Sequence, residues 1–278
     1  MVLYIYIIYL ERQVVFLYKT YSFFVKNSNS LLFNYCKDLT HNYKNLKNVT
    51  NFYIRNTFTG IKKSPEERFS NEIEVLHFVF TGIQKQNTLR DNKKASLFTY
   101  PKFENSFLNF NSLDAIFKFS NNIDYYSLPA QINQNAIKDV IKEWKSFFKA
   151  GKEYMKNPSK FTGRPKMPKY LQKDFSTVIL NNQACKLKQN ENNKTFCIFP
   201  KTKAKLFLGK YISINSILKS VRIVPISNIF KIELIIEEPD VKPLDNSNLR
   251  AISIDLGIKN IVTISNNIGI NINTNDYI

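Results

Sequence analysis

Residues 250–265 read Arg-Ala-Ile-Ser-Ile-Asp-Leu-Gly-Ile-Lys-Asn-Ile-Val-Thr-Ile-Ser. The stretch alternates short and β-branched residues up to Asp255, breaks at Leu256-Gly257-Ile258, and resumes as a second β-rich run from Asn260 to Ser265. That is the pattern of strand, tight turn and returning strand. A third strand is expected to begin within Ile268–Ile272. Asp255 is the conspicuous residue, an acid at the end of a strand whose neighbours are of the buried type. Upstream, Pro239–Asn248 (PDVKPLDNSN) has the composition of a linker.

Further upstream, from about Phe175, the period of the chain is two. Strands are expected at Phe175–Leu180, Ala184–Lys188, Thr195–Phe199, Val221–Ile226 and Phe230–Ile236, with a hairpin turn at Asn190–Asn193. Short strands at this spacing suit a small barrel or sandwich. Before them the pattern is helical. Ser64-Pro65-Glu66-Glu67 reads as a helix start, with a capping serine, a proline at the first position and a glutamate closing the box. Phe69, Ile73, Leu76, Phe80 and Ile83 follow as its apolar stripe. A second helix spans Pro129–Met155 with Ile137, Val140, Ile141, Trp144, Phe147 and Phe148 on its core face. Residues 86–125 look less regular, and the Asn-rich pieces around Asn109 and Asn122 look like loops. The opening MVLYIYIIYL is too short to span a bilayer and reads as a buried strand.

The composition narrows the function. Forty Lys and Arg face 22 Asp and Glu, a net charge of +18, which points to a polyanionic partner. Glycine is too scarce, at 7 residues, for a glycine-rich phosphate loop to be expected. Cys36, Cys185 and Cys197 are odd in number and show no zinc-type spacing, so neither a zinc site nor a disulfide framework is expected, and a reduced, cytoplasmic setting follows. His41 and His77 read as packing or surface residues.

Two segments carry chemistry. Between Lys142 and Lys173 there are ten Lys or Arg and two acids. Inside this run, residues 157–171 (NPSKFTGRPKMPKYL) contain Pro158, Pro165 and Pro168, which discourage helix and favour an extended strap. Lys160, Arg164, Lys166 and Lys169 project from it beside Phe161 and Tyr170. Cations interleaved with aromatics suit nucleic acid, since phosphates are neutralised and bases stack; the plainer alternative is a solvated linker. Asp255 has three readings. It could be a metal-binding carboxylate at the edge of a ribonuclease-H-like sheet, where magnesium activates water. It could merely shape a turn, or it could belong to a phosphate-binding hairpin of the actin and sugar-kinase type.

Three segments together resemble the TnpB family, the OrfB proteins of insertion sequences, often described as transposases and related to type V CRISPR nucleases. They are residues 48–56 (NVTNFYIRN) with the following SPEER helix, the GRPKMPKY strap, and AISIDLGIKNIVTIS, which looks like a first RuvC motif. The resemblance implies an α+β architecture, with a helical recognition domain inserted into a β-barrel wedge domain and followed by the first strands of an incomplete RuvC domain. Residues 1–27 would give the wedge its N-terminal strands, 28–156 the recognition helices, 157–240 the barrel, 241–248 a linker and 249–278 the RuvC strands.

It further implies guide RNA and DNA as partners, with no membrane. Tyr53, Arg55, Lys160, Arg164, Lys166, Lys169 and Tyr170 would be the nucleic-acid contacts. Asp255 would be both a catalytic residue and a magnesium ligand. The family's later Glu, Asp and four-cysteine zinc ribbon have no counterpart in residues 256–278. These 278 residues are therefore expected to bind guide RNA and DNA without cutting and to hold no zinc. A non-catalytic nucleic-acid-binding regulator and a decayed gene product are the alternatives.

Overall fold

The structure, a computed structural model, describes residues 17–26, 30–209, 212–238, 252–255, 263–266 and 272–273. The opening strand expected within residues 1–10, the linker at 241–248 and the turn at Leu256–Ile258 lie outside them. The chain divides into two compact units, one running from Tyr18 to Glu237 and the other containing the strands after Glu238.

The larger unit mixes helix and sheet, in keeping with an α+β class. After β1 (Leu17–Val25) comes a 31-residue helix, α1 (Leu31–Ile61). Ser30 caps it by accepting the Phe33 amide at 3.1 Å. Asn, Thr and aromatic residues give α1 modest intrinsic propensity, so its length depends on packing. Cys36, Leu39, Tyr43, Leu46, Thr50, Ile54 and Thr57 are buried at intervals of three and four. The buried hydroxyls of Thr40 and Thr50 donate back to the carbonyls of Cys36 (2.8 Å) and Leu46 (2.7 Å), which removes the cost of burying them unpaired.

Against α1 pack α2 (Ser70–Asp91) and α5 (Ala130–Lys156). The Ser64 signal starts a 3-10 turn at Pro65–Glu67, not the helix. The helix itself opens at Phe69, whose amide donates to the Glu72 carboxylate at 3.0 Å. The buried face of α2 is Glu72, Val75, Leu76, Val79 and Ile83. Phe69, Ile73 and Phe80, expected in the core, are exposed. Glu72 takes their place because its charge is paired with Lys63 at 2.9 Å and bonded by Thr59 at 2.6 Å, so an acid can occupy the buried face.

Residues expected to be irregular form two further helices, α3 (Phe110–Phe119) and α4 (Ile123–Ser127). The asparagines that resemble loops are their caps. Asn109 accepts from the Ser112 amide at 3.0 Å and Asn122 from the Tyr125 amide at 2.9 Å. The Pro129 start and the core stripe of α5 are as expected, with Trp144 fully buried.

After α5 the period-two segment forms two sheets. One has the order β1-β7-β6-β2, where β2 is Val178–Asn181, β6 Ile217–Ile226 and β7 Ile229–Glu238. The other has the order β3-β4-β5, with β3 Lys186–Gln189, β4 Thr195–Ile198 and β5 Lys205–Gly209. β1 falls within residues 1–27, where N-terminal strands were expected, whereas β5 was not expected from the sequence. The hairpin turn at Asn190–Asn193 is present, with Asn193 at φ 56°, a left-handed conformation that asparagine tolerates better than most residues. Strand pairing among the described residues of the larger unit gives these two sheets and no closed ring.

In the smaller unit, β8 (Ile252–Asp255), β9 (Thr263–Asn266) and β10 (Ile272–Asn273) form an antiparallel meander in the order β10-β9-β8. Ile254 pairs with Ile264 and Asp255 with Thr263, so the strand, turn and returning strand read from residues 250–265 do pair with one another.

Candidate nucleic-acid interface

Asn48, Asn51 and Arg55 recur on α1 at i, i+3 and i+7, which places them on one face of a helix. That face meets the proline-rich strap. Asn48 treats Leu171 as a peptide partner, donating to its carbonyl at 3.0 Å and accepting its amide at 2.8 Å. Asn51 donates to the carbonyls of Pro168 (3.2 Å) and Lys169 (3.3 Å) and accepts the indole N–H of Trp144 at 2.9 Å. Arg55 donates to the Pro168 carbonyl, and its guanidinium lies 5.3 Å from the Tyr170 ring centre. Further along, His41 meets the Asp174 carbonyl at 3.0 Å and the Ser176 amide donates to Thr40 at 3.2 Å. The strap thus runs antiparallel to α1 from Pro168 to Ser176.

The sequence explains why. Pro165 and Pro168 lack amide protons and discourage helix in the residues before them, so this segment stays extended with carbonyls free to accept. Long polar side chains on α1 supply the donors. A strap fixed in this way loses little further entropy when it meets a ligand.

Fixing its inner side leaves the basic side chains outward. Arg164, Lys166 and Lys169 are exposed, and so is Lys160, which pairs with Glu153 at 3.3 Å. Between strap and α5 lies a groove of 530 Å³ lined by Lys142, Phe147, Ala150, Pro165, Lys166 and Pro168 among others. Lys142, Lys166 and the apolar lining can hold phosphate and ribose or base together, while Glu143, also in the lining, is paired with Lys47 at 3.0 Å.

The residues expected from the sequence therefore separate. Lys160, Arg164, Lys166 and Lys169 present charge to solvent. Arg55 and the half-buried Tyr170 are engaged with each other and with the strap backbone, and burial raises the Tyr170 pKa against the lowering influence of Arg55. Tyr53 lies in an aromatic cluster, stacked on Phe78 at 5.3 Å and tilted against Phe117 at 5.7 Å, and burial raises its pKa. Sequence reasoning missed Asn48, Asn51 and Lys142. The i, i+3, i+7 spacing of the first two with Arg55 was the available signal.

Asp255 closes β8, and its side chain lies outside the described residues. Among the described residues no group of three or more His, Cys, Asp or Glu is arranged to hold a metal ion. Cys36, Cys185 and Cys197 are buried and free. Burial pushes the Cys36 thiol up to about 12. The hydrogen bond with Cys197, followed by burial, raises Cys185, so Cys36 and Cys185 are held as neutral thiols. No helix among the described residues is long and apolar enough to cross a membrane. No family model matches the chain, and no curated protein matches it in sequence.

Proposed function

We propose that these residues are the nucleic-acid-binding part of an RNA-guided DNA endonuclease of the TnpB type, binding guide RNA and DNA. The observation that carries the reading is the strap clamped on α1 by Asn48, Asn51 and Arg55, with Arg164, Lys166 and Lys169 facing outward. Two of the three segments that resemble the family are thereby in contact, and the net charge of +18 agrees with a polyanionic ligand. The helices between Leu31 and Lys156 would serve as the recognition domain and the β2–β7 region as the wedge. The β8–β9–β10 meander would be the start of a RuvC sheet, with Asp255 as its first magnesium ligand. In this reading specificity comes from base pairing by the guide, while the protein holds the backbone.

The test is a salt titration of binding to a structured RNA, with wild-type protein and the triple variant Arg164→Gln/Lys166→Gln/Lys169→Gln. Each phosphate contact contributes about 0.7–0.9 to the slope of log affinity against log salt, so the variant should lose about 2. An unchanged slope, or no binding by the wild type at low salt, refutes the reading.

A further inference from the structure

The three-stranded sheet β3-β4-β5 has an outer face that the strap does not involve. Its register places Lys188, Phe196 and Phe207 in one cross-strand row, and Lys186, Ile198 and Lys205 in the next. Residues directly opposite each other share a face. The inner face of the same strands carries Cys197, Leu206 and Leu208, all buried. The outer face is wetted at Lys186, Lys188, Lys205 and Phe207, while Phe196 on the central strand is buried and Ile198 is half-buried, so β4 is covered on both faces.

Phe207 is 60% exposed at the middle of a strand. It is braced by Phe196 at 6.0 Å, and Phe196 is in turn capped by the Lys205 ammonium at 4.7 Å. Next to Phe207 opens a cavity of 810 Å³, walled by Gln189, Asn192, Asn193, Lys194 and Thr195 of the β3–β4 hairpin. Between Gln183 and Gly209 there are six lysines and one acid, Glu191. Lys186, Lys188 and Lys205 are exposed around the aromatic pair, and Lys194 is exposed at the cavity wall. An exposed aromatic ring, flanking cations and an amide-lined cavity beside it are the elements of a base-stacking platform.

We infer that this face is a second nucleic-acid site, which binds single-stranded RNA by stacking one base on Phe207 while the surrounding lysines neutralise adjacent phosphates. The cavity suits an unpaired nucleotide, because only an unstacked base offers a face to Phe207. The amides of Gln189, Asn192 and Asn193 supply both donors and acceptors for base edges and for a ribose 2′-hydroxyl, which favours RNA over DNA. The inference rests on the nucleic-acid-binding reading above but on different residues.

Phe207→Trp places a reporter at the platform, whereas the wild type contains only the fully buried Trp144. Oligouridylate about ten nucleotides long should quench tryptophan fluorescence in Phe207→Trp and leave the wild type unchanged. Phe207→Ala should weaken oligouridylate binding by about 5- to 150-fold, the loss expected for one stacked base, with no change in melting temperature. The Arg164→Gln/Lys166→Gln/Lys169→Gln variant, combined with Phe207→Trp, should still show the quench. RNA binding by the wild type with no quench in Phe207→Trp and full affinity in Phe207→Ala would overturn the platform and leave the strap reading standing. Equal quenching and affinity with oligothymidylate would overturn the choice of RNA. Failure of the wild type to bind RNA at low salt would overturn both readings.

Discussion

Replacing Asn51 by leucine should destabilise the larger unit by about 2–4 kcal/mol. The magnitude follows from which groups lose their partners. The indole N–H of Trp144 belongs to a side chain that is 0% exposed, and Asn51 Oδ1 accepts it at 2.9 Å. Leaving a buried donor unpaired costs about 1–3 kcal/mol. The two strap carbonyls lose less. Pro168 keeps its bond from Arg55, and Lys169 is exposed enough for water to replace the amide, so each contributes about 0.5 kcal/mol. For a unit of this size about 3 kcal/mol lowers the melting temperature by about 6–12 °C. Thermal unfolding followed by circular dichroism measures the shift. Trp144→Phe, which removes the donor, completes a double-mutant cycle, and the combined variant should fall short of the sum of the single losses by about 1 kcal/mol or more. A loss below about 0.5 kcal/mol in Asn51→Leu, or strict additivity with Trp144→Phe, would show that the buried bond does not hold the strap and the two helices together.

Two other substitutions separate structural from binding roles. Tyr53→Ala should cost about 2–4 kcal/mol of stability, less than the loss of a fully buried aromatic, while Tyr53→Phe should leave both stability and RNA affinity unchanged; weakened RNA binding in a stably folded Tyr53→Ala would restore it as a contact. For Glu72, burial pushes the carboxyl up, but bonds from Thr59, Lys63 and the Phe69 amide outweigh this and hold it below its ordinary 4.5. Its stabilising contribution is therefore complete above pH 4.5 and lost as pH falls through the lower folded value. Glu72→Gln should flatten the acid limb of the stability–pH curve, and an unchanged limb would mean that the Lys63 pair carries no stability.

Periodicity alone determined a good deal of this protein. It located α5 with its buried stripe, the hairpin at Asn190–Asn193, and the pairing of β8 with β9 around Asp255, because each depends on residues close in sequence. The prolines of residues 157–171 likewise marked an extended strap, since proline restricts its own backbone wherever it stands. What the chain could not show locally was decided by distant partners. Phe80 is exposed and Glu72 buried because Lys63 and Thr59 reach the acid across the α1–α2 corner. Tyr53 and Arg55 sit two residues apart on one helix. One is packed between Phe78 and Phe117, and the other is turned to Pro168, more than a hundred residues downstream. The exposed ring of Phe207 stands beside Phe196 only once β4 and β5 are in register. Residue type and spacing specify which groups can bind a phosphate or a base; only packing fixes which of them are already occupied by the protein itself.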